Sequence, residues 1–380
     1  MEFGFAFPGR EASFPHRLLA YLHIPFCHRV CPYCSFYKHT PGSTPIGAFV
    51  DALAKEAAHR LPGLAESPRT LYLGGGTPSM LSPTHLERLF DALKEQIDFT
   101  ALDEVTLEAN PATFDLTKAR LFRELGVTRV SLGIQSFTPH VLQTLGREHD
   151  PEQAAEAVAI LREADMPSVN IDLMFSIPGQ SIDDWRETLE RTISLNPDHV
   201  SAYNLTYEED TAFFESLKRG EMDADEDRDA SFYHLAHRLL TAAGYEHYET
   251  SNYARPGQHS SHNRGYWQGE DYIGLGPSAV STVARIRSQN VADTARYVEM
   301  VNTIGNAITG SEAIDPEAWR IERIALGLRT REGIPLDRVD SRAETLQTLV
   351  EAGYAVIKDG RLVLTDEGSA LVDPIAGELV

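Results

Sequence analysis

The chain has 380 residues, of which 42% are hydrophobic and 24% charged, a composition typical of a folded globular protein and not of a disordered one. Lys and Arg number 34 against 56 Asp and Glu, so the formal net charge is −22, which argues against general binding to nucleic acid or to an anionic membrane. No apolar run is long enough for a membrane span, and the N-terminal residues lack the order of a secretion signal, so we expect a cytoplasmic protein with at most peripheral membrane contact.

Short β-branched runs alternate with amphipathic helical segments through the first part of the chain. The predicted strands are 18–24, 70–76, 104–110, 129–136, 168–179 and 199–207, and the predicted helices are 46–61, 82–97, 116–126, 151–165, 181–195 and 225–243. Strands separated by helices in this way predict a parallel α/β sheet with helices outside it, either open or curled into a barrel. Residues 252–283 are rich in Gly, Asn, His and aromatic residues, and we interpret them as an irregular functional loop.

The C-terminal part of the chain has a different pattern. Helices are predicted over 316–330, 343–354 and 366–379, and two short strands over 355–365 surround Asp359-Gly360, a dipeptide typical of hairpins. This order predicts a mostly helical, winged-helix-like domain, whose acidic balance favours a packing or partner surface over DNA binding. The predicted organisation is therefore an N-terminal extension, 1–16, an α/β core, 17–290, and a C-terminal domain, 291–380.

All three cysteines lie within eight residues, Cys27-His-Arg-Val-Cys31-Pro-Tyr-Cys34, directly after the first predicted strand. Such a cluster predicts a metal site rather than a disulfide framework. Thiolates suit both zinc and iron–sulfur clusters, so the residues alone leave two interpretations open. Three thiolates can hold a [4Fe–4S] cluster with one open iron, whereas zinc needs a fourth ligand. Three histidines are near enough in sequence to supply it: His23, His28 and His39.

In its motifs the chain resembles the radical S-adenosylmethionine (SAM) superfamily and, within it, the oxygen-independent coproporphyrinogen III oxidase group. The resemblance covers nearly the whole chain, through YLHIPFCHRVCPYCSFY (21–37), GGGTPSML (74–81), LEANP (107–111), SLGIQSF (131–137), LGREH (145–149), DLMFSIPGQ (172–180), HNRGYW (262–267) and GLGPSAVS (274–281). It implies a partial (β/α)6 barrel with bound SAM and a [4Fe–4S] cluster on Cys27, Cys31 and Cys34. The chain is most similar to the haem-chaperone branch of this group, which implies haem as a further ligand.

The resemblance also assigns residues to SAM. The loop of Gly75, Gly76 and Thr77 would hold the methionyl amine, although the same sequence alone is also typical of a tight turn. Polar residues at strand ends lie where barrel proteins build their sites, and the resemblance places four of them around SAM or a second ligand: Glu108, Gln135, Arg147 and Asp172. For Arg147 an ion pair with a carboxylate is an equal alternative. Tyr21 and Tyr33 flank the cluster, with core packing as the alternative for Tyr21.

The motif that begins at His262 is the candidate haem site. A histidine can ligate haem iron, and the aromatic residues of HNRGYW can pack against a porphyrin. The resemblance associates such a motif with haem. The alternative is a capped loop with a hydrogen-bonded histidine.

Phe36 separates the functions that the resemblance allows. The oxidase pattern has a fourth cysteine two residues after the third, where this chain has Phe36, which carries no thiol. The segment before Cys27 is also shorter than the arm expected of the oxidase. We therefore favour a haem chaperone that delivers haem to an acceptor haemoprotein. The alternatives are a coproporphyrinogen oxidase or related tetrapyrrole-modifying enzyme, and a zinc protein without SAM chemistry. A flavodoxin- or ferredoxin-type electron donor and a homodimer are further expectations.

Overall fold

The computed structural model describes residues 18–42 and 44–380, so the predicted extension, 1–16, lies outside the described residues. The first six predicted runs form parallel strands that are buried on both faces over most of their length. Strands β1–β6 are Leu18–Ile24, Pro68–Gly75, Glu104–Ala109, Arg129–Gln135, Ser168–Phe175 and His199–Asn204. They pair in parallel and in sequence order, which confirms the predicted α/β core.

Helices cover the outer face of this sheet. Helices α1–α8 are Ile46–Arg60, Pro83–Lys94, Leu116–Leu125, Pro139–Thr144, Pro151–Glu163, Ile182–Ser194, Ala212–Lys218 and Glu226–Ala242. Polar N-caps start several of them, as Ser82 does for α2 and Asp150 for α5, and Gly126 ends α3 in the left-handed conformation. In the described residues, no helix combines the length and the apolarity needed to cross a bilayer.

The predicted irregular loop, 252–283, is wrong, because this stretch holds three strands and a helix. The elements after α8 are β7 (Glu246–Glu249), β8 (Asn252–Ala254), α9 (Ser261–Gln268), β9 (Asp271–Leu275), β10 (Val280–Val283), β11 (Ile286–Asn290), α10 (Thr294–Ile304) and β12 (Ile308–Ala313). Strand β8 pairs antiparallel with β6, and β9 pairs parallel with β1. The described part of the chain thus forms a twelve-stranded sheet with β1–β6 at its centre.

The C-terminal residues form a second, smaller unit with its own apolar core. Its elements are α11 (Pro316–Gly327), β13 (Ile334–Pro335), α12 (Ala343–Glu351), β14 (Ala355–Lys358), β15 (Arg361–Leu364), α13 (Asp366–Ser369) and α14 (Val372–Leu379). Strands β14 and β15 form the predicted hairpin, with Asp359 and Gly360 at positive φ. Because β12 extends the first sheet and α10 packs in the first core, we propose that the boundary falls at 314–315 instead of after residue 290.

Candidate cluster and cofactor site

The parallel strands surround an open interior. Strands β1–β6 are buried on both faces over most of their length. The positions that are partly exposed or exposed are Tyr21, Arg69, Tyr72, Gly75, Glu108, Gly133, Gln135, Asp172, Tyr203 and Asn204, most of them in the C-terminal halves of the strands. The Tyr21 and Tyr72 rings lie 6.1 Å apart, and Tyr72 donates to Glu108, so side chains from successive strands meet in this space. The C-terminal strand ends are the place where barrel proteins build their sites.

The cysteine loop leaves β1 and folds back against the glycine loop that ends β2. The Gly76 amide donates to the Ile24 carbonyl, and the Thr77 amide to the Phe26 carbonyl, both at 2.8 Å. A Cβ on Gly76 would lie 2.7 Å from each of these two oxygens, so only glycine allows this approach. Gly75 has φ +106°, a conformation that favours glycine. The glycines thus serve the packing of the two loops, and their role toward SAM stays a prediction.

The three thiols are half-buried at this end of the barrel. Burial raises the pKa of the Cys27 and Cys34 thiols above the usual value. Two side chains donate to sulfur, since Thr77 Oγ1 lies 3.6 Å from Cys27 Sγ and Arg147 Nη1 lies 3.6 Å from Cys31 Sγ. Such donors stabilise the thiolate, which is the form that binds a metal.

The spacing of the sulfur atoms distinguishes the two metal sites that the sequence leaves open. Tetrahedral zinc, with Zn–S bonds of about 2.3 Å, brings its sulfur ligands to ~3.8 Å from one another. Among the described residues, the three sulfurs do not all lie within 4.8 Å of one another. His23 and His39 each have both ring nitrogens in hydrogen bonds of 2.6–2.9 Å, so neither is available as a fourth ligand. The arrangement fits a [4Fe–4S] cluster better than zinc.

Glu108 places a carboxylate on the inner face of the parallel strands. The Tyr72 hydroxyl donates to its Oε1 at 2.8 Å and the Gly75 amide to its Oε2 at 3.0 Å. Burial raises the pKa of Glu108 to about 7, and the charge of Asp172 adds to this rise, while the two hydrogen bonds oppose it. A Cβ on Gly74 would lie 2.9 Å from Oε1, so glycine also makes room for this carboxylate. A cationic amine beside Glu108 would favour its ionised form.

Asp172 and Gln135 lie on the neighbouring strands of the same interior. Ser131 donates to Asp172 at 2.8 Å and Asn170 at 2.7 Å, and burial raises the pKa of Asp172. Gln135 has φ +70°, and its buried Oε1 has no hydrogen-bond partner in the described chain. A strained residue with an orphaned acceptor is typical of a ligand site. These residues therefore fit a bound SAM.

Arg147 links the cysteine loop to this group. Its Nη2 donates to Asn110 Oδ1 at 2.6 Å and to the Gly133 carbonyl, while Nη1 faces Cys31. Among the side chains that the structure describes, no carboxylate forms an ion pair with it. The alternative of a structural Arg–carboxylate pair is therefore wrong, because the buried guanidinium is directed at sulfur and amide oxygen instead.

The two tyrosines occupy different surroundings. The Tyr21 hydroxyl hydrogen-bonds His23 Nδ1 at 2.9 Å, and its ring faces the interior beside Tyr72. Tyr33 packs against Phe213, with ring centroids 6.2 Å apart, in a small apolar cluster. This position, between two of the cysteines, fits the prediction that Tyr33 flanks the cluster.

His262 lies at the opposite end of the barrel. It is only 1% exposed on α9, its Nδ1 bonds Thr70 Oγ1 at 2.7 Å, and its ring stacks on Tyr72 at 4.9 Å. The Glu104 carboxylate accepts backbone N–H bonds at the start of α9, which stabilises the helix terminus. Nε2 has no hydrogen-bond partner among the described residues. Because this ring is enclosed, ligation of haem iron would require α9 to move, and the haem role stays a prediction.

Sequence reasoning missed several polar residues of the site. Asn110 lies in the LEANP motif and bonds both Thr77 and Arg147, and Tyr72 donates a hydrogen bond to Glu108. Tyr72 could have been found from alternation, since it lies two residues before Gly74 on the same face of β2.

Comparisons with known proteins agree with this geometry. Residues 21–192 match the model of the Radical SAM superfamily. The haem chaperone HemW of Mycobacterium tuberculosis is 37% identical over 95% of this chain and 94% of its own length, and that of Lactococcus lactis is 33% identical over 93% and 94%. The chain therefore belongs to the HemW family of the radical SAM superfamily. The structure of Escherichia coli coproporphyrinogen III oxidase (HemN), a radical SAM enzyme, matches with a TM-score of 0.82 at 25% identity, covering 97% of this chain and 91% of that one.

Proposed function

We propose that this protein is a haem chaperone, which binds haem and passes it to an acceptor haemoprotein. The observation that carries the proposal is the match, over more than nine tenths of both chains, to relatives named haem chaperones. We further propose that a [4Fe–4S] cluster and SAM bind at the cysteine end of the barrel.

The chain's own residues support this cofactor site. Cys27, Cys31 and Cys34 would hold the cluster, and Glu108 and Gln135 would face SAM. When bound and reduced, such a cluster supplies one electron to the sulfonium of SAM. The surrounding chain donates hydrogen bonds to two of the sulfurs, and the Tyr33 ring packs on Phe213 beside them.

The second candidate function is oxidation of coproporphyrinogen, which the structural match to HemN favours. Phe36 opposes it. The side chain is 65% exposed beside the cysteine loop, and it offers neither a thiol nor a proton at the position where the oxidase pattern has a cysteine. We therefore expect no coproporphyrinogen turnover.

The test is an anaerobic haemin titration of the reconstituted protein, followed through the Soret band. We expect saturation near one haem per chain, about four irons and four sulfides in the cluster, and no conversion of coproporphyrinogen with SAM and a reductant. A His262→Ala variant tests the identity of the iron ligand. Loss of the Soret band in this variant would assign the ligand to α9. Absence of specific haem binding would refute the chaperone function, and product formation would establish the oxidase. Bound zinc without sulfide would refute the cluster.

A further inference from the structure

A cavity of about 470 Å³ lies between the barrel and the C-terminal domain. Its walls come from α9, β9, β10 and β11 on one side and from α11 on the other, and aromatic rings form part of them, those of Tyr266, Tyr272 and Trp319. Tyr272 pairs with Leu19 at the start of β1, so the cavity lies at the end of the barrel opposite the cysteine loop. We call it the Arg323 cavity after the side chain that distinguishes it.

Arg323 is a buried cation that forms no ion pair with any described residue. The residue is 8% exposed, its Nε has no hydrogen-bond partner in the described residues, and its guanidinium carbon lies 4.7 Å from the centre of the Trp319 ring. Burial lowers the pKa of Arg323 to about 10, so the group is still charged at neutral pH. A buried charge is costly unless it is paired, and this one faces a cavity.

The other charges of the cavity are already neutralised. Arg287 donates to both oxygens of Glu322, at 2.8 and 2.9 Å. Glu270 accepts two bonds from Arg69, at 2.9 and 3.1 Å. The uncompensated positive charge in the cavity therefore belongs to Arg323.

Gly269 makes room for this guanidinium. It ends α9 with φ +72°, and a Cβ on it would fall 0.7 Å from Arg323 Nη1. At this positive φ a side chain on residue 269 would be strained, and its Cβ would displace the Arg323 guanidinium from its present position. The guanidinium therefore lies at the cavity wall beside Gly269, the residue that follows the helix of His262 and Tyr266.

We propose that the Arg323 cavity binds a carboxylate group carried on a flat, apolar molecule. A guanidinium pairs with a carboxylate through two parallel hydrogen bonds, and the aromatic walls suit a flat apolar body. Resting on the proposed function, we infer that this molecule is haem, with one propionate at Arg323 and the macrocycle against the aromatic rings.

The test uses metal-free protoporphyrin IX and its dimethyl ester, which share the macrocycle and differ in the carboxylates. Binding to the full, cluster-reconstituted chain is followed by porphyrin fluorescence. For the wild type we expect the diacid to bind at least 10-fold more tightly than the ester. Arg323→Met should lose at least 10-fold in affinity for the diacid and keep the affinity for the ester. Arg238→Met, on an exposed position of α8, removes the same charge and should behave as the wild type.

A measurement of stability separates binding from a structural role. Because Met keeps the apolar stem and removes an unpaired buried charge, Arg323→Met should leave the thermal midpoint unchanged or raise it. The inference is overturned if this variant binds the diacid as the wild type does, if diacid and ester bind equally, or if the variant unfolds at a lower temperature without a selective loss of the diacid. Haemin binding that Arg323→Met does not weaken would overturn the inference and leave the chaperone function standing. Failure of the wild type to bind either haemin or the porphyrin would overturn both.

Discussion

Replacement of Glu108 by Gln should remove part of the pH dependence of stability. Burial raises the pKa of Glu108 from its usual 4.5 to about 7, so between these values the folded chain holds a proton that the unfolded chain has released. Stability therefore falls as pH rises through this window. A shift of this size corresponds to about 3 kcal/mol at 1.36 kcal/mol per pH unit. Because the side chain is partly exposed to the open interior, we expect the free energy of unfolding to fall by about 1–3 kcal/mol across this window.

The assay is urea unfolding of the cluster-free protein at several pH values from 4.5 to 8. The wild type should lose stability across this range relative to Glu108→Gln. Glu249 serves as the matched comparison, since burial raises the pKa of this carboxyl to about 7 as well. Glu249→Gln should remove a separate part of the pH dependence of stability, and the variant with both substitutions should lose both parts. If Glu108→Gln and the wild type follow parallel curves, the buried carboxyl does not hold the raised pKa that we assign to it.

Three further substitutions test the loops and the core. Cys31→Ser should abolish the cluster, seen as loss of bound iron and sulfide; full iron content would refute the ligand assignment. Gly76→Ala should destabilise the chain and lower cluster incorporation, because its Cβ meets two carbonyl oxygens at 2.7 Å. A variant that incorporates the cluster normally and has the urea unfolding midpoint of the wild type would contradict this. Glu56→Ala should cost about 3–5 kcal/mol in urea unfolding, because it breaks a buried pair with Arg60 at 3.0 Å; a loss below 1 kcal/mol would show that the pair is dispensable.

The central sheet was predictable because its strands are mainly apolar runs separated by capped helices. Strands β1–β6 are six to eight residues long and buried on both faces, so their hydrophobic runs stand out. The strands at the edges are three to six residues long, and β11 and β12 are mostly polar or exposed. Such segments carry no clear period, and only pairing with the completed sheet defines them.

The site residues also fall into those that local sequence predicts and those that depend on distant contacts. The cysteines and Glu108 were found because their motifs are local in sequence. Arg323 gave no signal, because an arginine on an amphipathic helix is normally solvated or paired. Whether it has a partner depends on Gly269 and on the barrel edge more than fifty residues earlier in the chain, which no local pattern reports.

Tyr72 joins the two ends of the barrel, and this contact leads to a last prediction. Its hydroxyl bonds Glu108 at 2.8 Å in the cofactor region, while its ring stacks at 4.9 Å on His262, which in turn contacts Tyr266 at 4.9 Å at the wall of the Arg323 cavity. A ligand that changes the charge of Glu108 therefore acts on a side chain packed against α9. We expect SAM to change the affinity for haem by about 5-fold or more, and haem to change the affinity for SAM by the same factor.

Tyr72→Phe keeps the stacked ring and removes the hydroxyl, so it tests the contact itself. Haem titrations with and without SAM should give a smaller ratio of affinities in this variant than in the wild type. The pKa of Glu108 should also rise, since the Tyr72 hydrogen bond lowers it, and this shift moves the loss of stability to higher pH. The matched control is Tyr245→Phe, which removes a buried hydroxyl that donates to the Pro197 carbonyl instead and should leave the ratio unchanged. An equal ratio in wild type and Tyr72→Phe would mean that the two ends of the barrel respond to their ligands independently.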